Sequence, residues 1–316
     1  MTRHLYSGGT VAFQGERGAY SDLACRLKFP DMESRPCPSF EDAFAAVENE
    51  RTTLAMIPIE NSIASRVADI YYMLPRTHLH IVDETFLRVN HCLLAPKGVG
   101  LSDLRTVSSH PQALAQCRRT ISELGLEPVS TVDTAGAARQ VSEGDDRHAA
   151  VIASSLAGRI YGLDCLRTNI EDAEHNITRF IVLSRESVVP EQGAARVVTS
   201  FMFRVGNVPA ALYKALGGFA TRRVNLTKLE SYVVGSRFEV ARFYAEIEAH
   251  RYDPDVRGAF DELSLFSPEV KLLGIYPAHE YRGEGGRPMS DLDPNGAGLP
   301  AGEAAASGRG AAAGAA

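Results

Sequence analysis

Residue types suited to binding an anion and moving a proton occur at four places along the chain. The first follows the apolar run at residues 11–13, where residues 15–21 form a glycine-containing loop before a helix. Backbone N–H groups at such a junction favour an anion, and Gly15 and Gly18 would let a ligand approach the backbone. A tight turn without any ligand explains the same residues.

The second place follows the buried-strand pattern of residues 54–57. Glu60, Asn61 and Ser62 offer a carboxylate, an amide and a hydroxyl there, and ligands of open α/β sheets bind at the carboxyl ends of strands. The alternative is an Asn/Ser turn that caps the next helix, which these residues taken alone favour.

The third place is a helix entry, with Pro111 suited to the first helical position. The helix is predicted to run on through an apolar stripe formed by Leu114, Cys117, Ile121 and Leu124. Gln112 and Gln116 lie four residues apart on a face offset from this stripe, and Ser109 lies near the helix start. These three side chains can reach a cleft together, while His110 is either a base or a structural histidine.

The fourth place precedes a strand at residues 181–183, where Thr178 and Arg179 bring a hydroxyl beside a guanidinium. That pair suits a substrate with a carboxylate, although alone it is a Thr and an Arg on a strand. His78 and His80 form an H-x-H pair for which no third ligand is evident, so no metal site is predicted.

Composition limits the classes of protein that remain. The 316 residues include 33 Lys+Arg and 39 Asp+Glu, for a net charge of −6, which argues against nucleic acid or an anionic membrane as the main partner. The five cysteines form no C-x-x-C pair, so neither a zinc site nor a disulfide framework is indicated. No secretory signal and no apolar run of membrane-spanning length is present, which predicts a cytoplasmic protein.

The elements that position these residues alternate between strand and helix over residues 10–185, which predicts an α/β fold for a first domain at residues 1–190. Residues 195–280 follow the order βαββαβ, the ferredoxin-like split βαβ arrangement. Residues 281–316 lose apolar periodicity and become rich in Ala and Gly, so a disordered tail is predicted there.

Taken in order and spacing, these motifs resemble prephenate dehydratase with a C-terminal ACT domain, over residues 11 to about 280. The resemblance is carried by residues 15–21, 58–62, 109–117, 133–137, 176–180 and 225–231. It implies a catalytic region of two α/β lobes around a cleft, built like a periplasmic binding protein. The dehydratase pattern begins at Val11, so no preceding chorismate mutase domain is expected.

The resemblance implies that the enzyme removes water and carbon dioxide from prephenate to give phenylpyruvate, on the route to phenylalanine, with no cofactor. It gives Thr178 the role of proton donor, assigns the orientation of the substrate to Asn61, Ser109 and Gln116, and makes Glu60 a supporting acceptor. The substrate-binding residues that it implies are Arg179, Phe180, Gly15, Gly18, Ser62, His110 and Gln112.

The ACT domain implies L-phenylalanine as an effector and assembly into a homodimer or homotetramer. The phenylalanine-binding residues are then Ala211, Leu212, Asn225, Leu226, Glu230 and Ser231. The family's Gly-Ala-Leu and Glu-Ser-Arg-Pro segments are altered in this chain, which leaves the strength and direction of feedback open. Arogenate dehydratase and a non-catalytic two-lobed amino-acid sensor are the alternatives, and the threonine in a donor position favours an enzyme.

Overall fold

The computed structural model describes residues 8–173, 175–194, 196–234, 240–283 and 285–289. The strands within these ranges are β1 (Thr10–Gln14), β2 (Glu33–Cys37), β3 (Leu54–Asn61), β4 (Ser65–Arg66), β5 (His80–Arg88), β6 (Cys92–Ala95), β7 (Thr106–Ser109), β8 (Glu127–Ser130), β9 (Ala149–Ala153), β10 (Asp164–Arg167), β11 (Ile177–Ser184), β12 (Val197–Val205), β13 (Leu226–Val234), β14 (Val240–Ile247) and β15 (Glu269–Pro277). The α-helices are α1 (Tyr20–Lys28), α2 (Phe40–Glu48), α3 (Ala68–Met73), α4 (Pro111–Gln116), α5 (Arg118–Glu123), α6 (Thr134–Glu143), α7 (Ser155–Tyr161), α8 (Ala211–Thr221) and α9 (Pro254–Phe266).

The first lobe is built on a sheet with strand order β2-β1-β3-β11-β5, and β4 pairs with β3. Strand β1 is parallel to β2 and β3, whereas β11 is antiparallel to both of its neighbours. Residues 54–57 of β3 are all buried because helices cover both faces of the sheet. Phe44 and Val47 of α2 pack on one face, and Cys25 and Phe29 of α1 pack on the other.

The second lobe has the strand order β10-β6-β9-β7-β8. The chain enters it after β5 and returns to the first lobe before β11, so two crossings join the lobes. The predicted single helix from Pro111 through Leu124 is wrong, because Cys117 adopts φ −123° and separates α4 from α5. Gln116 is therefore the last residue of α4.

The predicted βαββαβ order of the third unit is confirmed, with antiparallel strands in the order β13-β14-β12-β15. One face of this sheet packs against α8 and α9 through Phe201, Phe219 and Phe260. The other face joins the core of the first lobe. Gly274 lies at this junction, where a Cβ would overlap the backbone carbonyl of Ile81.

The segment after β15 corrects the predicted start of the tail at residue 281. Arg282 ends a 3₁₀ turn and forms ion pairs with two glutamates of the core. Met289 is 8% exposed and packs in the same cluster as Phe29, and Thr85 contacts its sulfur. These apolar and ionic contacts fold the segment onto the first lobe, and residues 290–316 of the predicted tail lie outside the described residues.

Candidate active site

The register between β3 and β11 brings two predicted site residues together and separates them from two others. Thr178 pairs with Asn61, and Arg179 pairs with Glu60. Because successive side chains of a strand point to opposite faces, the first pair and the second pair belong to different environments.

The hydroxyl of Thr178 accepts a hydrogen bond from Asn61. Asn61 Nδ2 lies 3.0 Å from Thr178 Oγ1 and 2.8 Å from Asn176 Oδ1, and it donates to both. Asn61 Oδ1 accepts from the backbone N–H groups of Ile63 and Ala64, which fixes the orientation of the amide. Since Thr178 Oγ1 already accepts here, its own proton is left for another acceptor. That is the arrangement a hydrogen-bond donor toward a ligand requires.

Gln116 brings the second lobe into the same site. Its Oε1 atom accepts from Asn176 Nδ2 at 2.9 Å and lies 3.0 Å from His91 Nε2. Asn176 and His91 both lie on the chain crossings between the lobes. A polar site therefore forms where the two lobes meet.

The other polar residues near these motifs have structural partners. Ser109 is fully buried and donates to the carbonyl of Ile152 at 2.6 Å, so its hydroxyl is turned into the sheet of the second lobe rather than toward Thr178. Ser62 Oγ donates to the carbonyl of His175 and accepts from the N–H of Ile177 at 2.9 Å, which ties the end of β3 to β11.

The start of α4 likewise satisfies its own polar groups. The His110 ring accepts from the backbone N–H of Gln112 at 3.2 Å and so caps the helix, which is the structural alternative for this histidine. The side chain of Gln112 is exposed, and Gln112 and Gln116 do not form one site.

The loop containing Gly15 and Gly18 is a contact between the lobes, and this corrects its predicted role as a carboxylate binder. The N–H of Gly15 donates to Cys37 O at 2.9 Å and that of Gly18 to Asp22 Oδ2 at 2.8 Å, so both amides are taken within the first lobe. Gly18 has φ +88°, and a Cβ on it would lie 2.8 Å from the Cα of Ala157 in the second lobe.

Charge and hydrogen bonds add to this contact between the lobes. Arg139 of α6 forms a two-point ion pair with Glu16, with distances of 2.9 and 3.0 Å. Ser154 donates to the carbonyl of Gly18 at 2.5 Å, and Tyr161 donates to that of Arg17 at 2.9 Å. The loop therefore holds the lobes together at one edge.

Arg179 does not face the site, which corrects its predicted role as a substrate ligand. Its side chain is 2% exposed and is enclosed by three carboxylates, with nitrogen–oxygen distances of 2.7 Å to Glu84, 2.8 Å to Glu246 and 3.0 Å to Glu60. A guanidinium held by three carboxylates has no free donor for a substrate. Phe180 is 1% exposed and lies in the core against α1, so it does not reach a ligand either.

Glu60 belongs to this buried charge cluster rather than to the polar site. Its carboxylate binds Arg179 and also Lys228 of β13. Burial raises the pKa of Glu60, but the two cations outweigh this effect and hold the pKa below its ordinary value. Glu60 thus stays ionised and connects the first lobe to the third unit.

Three residues of the polar site were missed in the sequence. Asn176 stands two residues before Thr178, and this spacing places both side chains on one face of a strand. The spacing could therefore have identified Asn176 as a site residue. The Tyr20 hydroxyl lies 2.8 Å from His91 Nδ1 and so belongs to the same site. Tyr20 and His91 carry no local pattern, because their proximity depends on how the lobes cross over.

The fold and the site define an α/β protein with a polar site where its two lobes meet. The sequence profile of the prephenate dehydratase family matches residues 11–188. The chain belongs to this family, which makes it an enzyme, a lyase of the dehydratase type.

Several relatives span most of the chain. A bifunctional N-acyl-homoserine lactone acylase/prephenate dehydratase of Komagataeibacter europaeus is 48% identical over 86% of this chain and 97% of its own length. Arogenate dehydratase/prephenate dehydratase 2, a chloroplastic protein of Arabidopsis thaliana, is 43% identical over 88% of this chain and 75% of its own. The structure of prephenate dehydratase from Arthrobacter aurescens in complex with L-Phe is 30% identical, with a TM-score of 0.78 over 85% of this chain and 90% of that chain.

Among the described residues, none of the helices has the length and apolarity needed to cross a bilayer. In the same part of the chain, His, Cys, Asp and Glu side chains do not gather into a group of three or more that would hold a metal ion.

Proposed function

We propose that this enzyme converts prephenate to phenylpyruvate, with the hydroxyl of Thr178 assisting the departure of the ring hydroxyl. In this reaction the bond to the ring carboxylate breaks, and its electron pair enters the ring as carbon dioxide leaves. The ring C–O bond breaks at the same time, and the departing hydroxide takes a proton to become water. Formation of the aromatic ring supplies the driving force, so the reaction is expected to need no cofactor.

The hydrogen bond from Asn61 to Thr178 is the single observation that carries this proposal. An unassisted threonine is a weak acid, but a hydroxyl whose oxygen accepts from an amide is a better donor, because the amide stabilises negative charge on that oxygen. Among the described residues no hydrogen bond engages the amide nitrogen of Gln116, and this nitrogen suits a substrate oxygen because Oε1 is already used within the protein.

Arogenate is the nearest alternative substrate, because it differs from prephenate by an amine in place of a keto oxygen. The Arabidopsis relative carries both activities in its name. The deciding experiment offers purified enzyme each substrate at neutral pH and follows phenylpyruvate by its ultraviolet absorbance in alkali, or phenylalanine by chromatography. We expect turnover of prephenate, whereas turnover of arogenate alone would reassign the substrate, and turnover of neither would favour a binding protein.

We further propose that the third unit is an ACT domain that binds L-phenylalanine and assembles the enzyme into a homodimer or homotetramer in the cytoplasm. A relative at 30% identity was solved in complex with L-Phe. Among the proposed phenylalanine-binding residues, Ala211 and Leu212 begin α8, and Glu230 and Ser231 lie on β13. Asn225 and Leu226 stand where β13 begins.

Contacts of β13 with the first lobe support a regulatory role. Arg66 donates to the carbonyl of Ser231 at 2.7 Å and lies 3.6 Å from the Glu230 carboxylate. Lys228 binds Glu60, the neighbour of Asn61. Addition of phenylalanine to the prephenate assay is expected to change the rate, and an unchanged rate at millimolar phenylalanine would contradict this part of the proposal.

Hydrolysis of N-acyl-homoserine lactones is a second candidate activity, favoured by the 48% identical relative that carries this activity in its name. The test incubates the enzyme with an acyl-homoserine lactone and measures free homoserine lactone by mass spectrometry. Release by wild-type enzyme would support the activity, and no release above the buffer control would exclude it. The Thr178→Ala variant then tells whether both reactions use one site.

A further inference from the structure

A continuous series of hydrogen-bonded side chains leads across the junction of the lobes to Thr178. Its members in order are Tyr20, His91, Gln116, Asn176 and Asn61, named here the positioning chain. The Tyr20 hydroxyl lies 2.8 Å from His91 Nδ1, and His91 Nε2 lies 3.0 Å from Gln116 Oε1. The remaining links are 2.9 Å between Gln116 and Asn176, and 2.8 Å between Asn176 and Asn61.

The direction of every bond follows from the end nearest Thr178. Because Asn61 Oδ1 holds two backbone amides, its nitrogen donates to Thr178 and to the oxygen of Asn176. Asn176 then has only its nitrogen for Gln116, whose oxygen accepts. Since that oxygen cannot donate, the hydrogen between it and His91 must be on Nε2.

Tyr20 supports this tautomer of His91. When Nε2 carries the hydrogen of a neutral ring, Nδ1 is an acceptor, and the one hydrogen of the Tyr20 hydroxyl is shared between Nδ1 at 2.8 Å and the carbonyl oxygen of Asn90 at 2.9 Å. The other tautomer would place Nε2 and Gln116 Oε1 together as two acceptors. His91 is 2% exposed, and burial lowers its pKa, which favours the neutral ring.

We propose that Tyr20 and His91 are positioning residues of the dehydration, which act through the amides of the positioning chain to keep the Thr178 hydroxyl a donor toward the substrate. This inference rests on the proposed function. Without the Tyr20 hydroxyl, Nδ1 of His91 loses its donor, the Nε2–H form is less favoured, and the hydrogen bond from His91 to Gln116 Oε1 weakens. Substrate binding to other groups of the cleft is unaffected.

The test is a double-mutant cycle between Tyr20→Phe and Thr178→Ala, measured as kcat and KM for prephenate. Tyr20→Phe keeps the ring that packs edge-on against His91 at 5.5 Å and removes only the hydroxyl. A lost neutral hydrogen bond predicts a fall in kcat of about 3- to 10-fold with KM changed less than about twofold. In the Thr178→Ala background the same change is expected to alter kcat by less than about 1.5-fold, because the group through which it acts is gone.

Tyr161→Phe is the matched control. Its hydroxyl also joins the lobes by donating to a carbonyl at 2.9 Å, but it lies outside the positioning chain. Its effect is expected to be the same in both backgrounds. If Tyr20→Phe likewise lowers kcat by the same factor with and without Thr178, its role is structural and the inference is overturned.

A spectroscopic measurement separates this inference from the proposed function. Nitrogen chemical shifts of ¹⁵N-histidine-labelled enzyme report the tautomer of His91, assigned by its loss in His91→Asn. We expect the Nε2–H form in wild type and a mixture in Tyr20→Phe, and an Nδ1–H ring in wild type would overturn the inference. If wild-type enzyme shows the Nε2–H form but turns over neither prephenate nor arogenate, the proposed function is refuted. The catalytic role of the positioning chain is then refuted with it.

Discussion

Neighbouring residues on β3 and β11 have different roles because a strand turns successive side chains to opposite faces. Thr178 and Asn61 lie in the polar site between the lobes, whereas Arg179 and Glu60 lie in the buried charge cluster. The two sequence motifs, at residues 58–62 and 176–180, contain all four residues and do not show which of them face the site. Their separation follows from the register of two strands that are more than a hundred residues apart in the chain.

Arg179→Met is expected to lower the free energy of unfolding without changing substrate binding. Removal of this cation leaves Arg282 as the cation that pairs with the buried carboxylates of Glu84 and Glu246, and breaking such a buried pair costs about 3–5 kcal/mol. Denaturant unfolding measures this loss. Arg139→Met, which breaks a more exposed pair with Glu16, is the control and should lower the free energy of unfolding much less, because solvent screens an exposed pair.

The milder variant Arg179→Lys keeps the positive charge and provides a second test if Arg179→Met does not fold. Its KM for prephenate should stay within about twofold of wild type, because Arg179 does not contact the substrate and no substrate-binding interaction is lost. A KM raised tenfold or more in a stably folded variant would restore Arg179 as a substrate ligand.

At the scale of elements, the patterns predicted the buried strands at residues 11–13, 54–57 and 181–183 and the βαββαβ unit. Ser39 caps α2 by accepting from the N–H of Asp42 at 3.0 Å, as its capping-box pattern predicts. Buried strands such as β3 were visible as apolar runs. The break at Cys117 was not visible in the sequence, because the apolar side chain of Cys117 continues the helical stripe and only its backbone angle ends the helix.

The polar site was predicted only in part, for a physical reason. Asn61, Gln116 and Thr178 were identified from motifs and do come together. Tyr20 and His91 were not, since their contacts depend on how two separate crossings bring the lobes together. A pattern in one segment carries no information about such a distant pairing.

The segment at residues 285–289 is expected to contribute to stability. A chain that ends at Gly283 loses Met289 from the core of the first lobe, and burial of such a side chain is worth about 1.5–3 kcal/mol. We expect the melting temperature measured by calorimetry to fall by a few degrees. A chain that ends at residue 290 is the control and should melt with the full-length protein, and equal melting of both truncated chains would contradict the assignment.

At the scale of the molecule, the buried charge cluster joins the first lobe to the third unit. Glu246 of β14 binds Arg179 of β11 and Arg282 of the segment after β15. Lys228 of β13 binds Glu60, whose neighbour Asn61 orients Thr178. The proposed effector site and the proposed catalytic hydroxyl are therefore linked by the ion pair of Lys228 with Glu60 and by the backbone that joins Glu60 to Asn61.

Lys228→Met is expected to weaken the response to phenylalanine. The substitution removes the ion pair with Glu60, so the third unit loses a charged contact with the strand that carries Asn61. Allosteric couplings are typically about 1–3 kcal/mol, so loss of this link should reduce the rate ratio with and without phenylalanine several-fold. Lys214→Met, at an exposed position of α8, is the control, and an unchanged ratio in Lys228→Met would contradict the link.

Acid should unfold the molecule partly through Glu246. Burial raises the pKa of this carboxyl, but Arg179 and Arg282 outweigh it and bring the pKa to about 2. A lowered pKa in the folded state stabilises the protein above the ordinary value of 4.5, and this stability, on the order of 3 kcal/mol, is lost as the pH falls toward 2. The free energy of unfolding, measured with urea, should therefore fall less between pH 5 and pH 2 for Glu246→Gln than for wild type. Glu143→Gln, which changes an exposed carboxylate, is the control and should lose stability with falling pH as wild type does. The same pH dependence in Glu246→Gln and wild type would refute the role of Glu246.

The donor role of the Thr178 hydroxyl is tested most directly by comparing kcat for prephenate in Thr178→Ser and Thr178→Ala. Serine keeps a hydroxyl within reach of Asn61, so its kcat should stay within about tenfold of wild type, whereas alanine should lose about 10²-fold or more, the scale of a positioned proton donor. KM should change little in either variant. Full turnover by Thr178→Ala, with prephenate bound normally, would contradict the account.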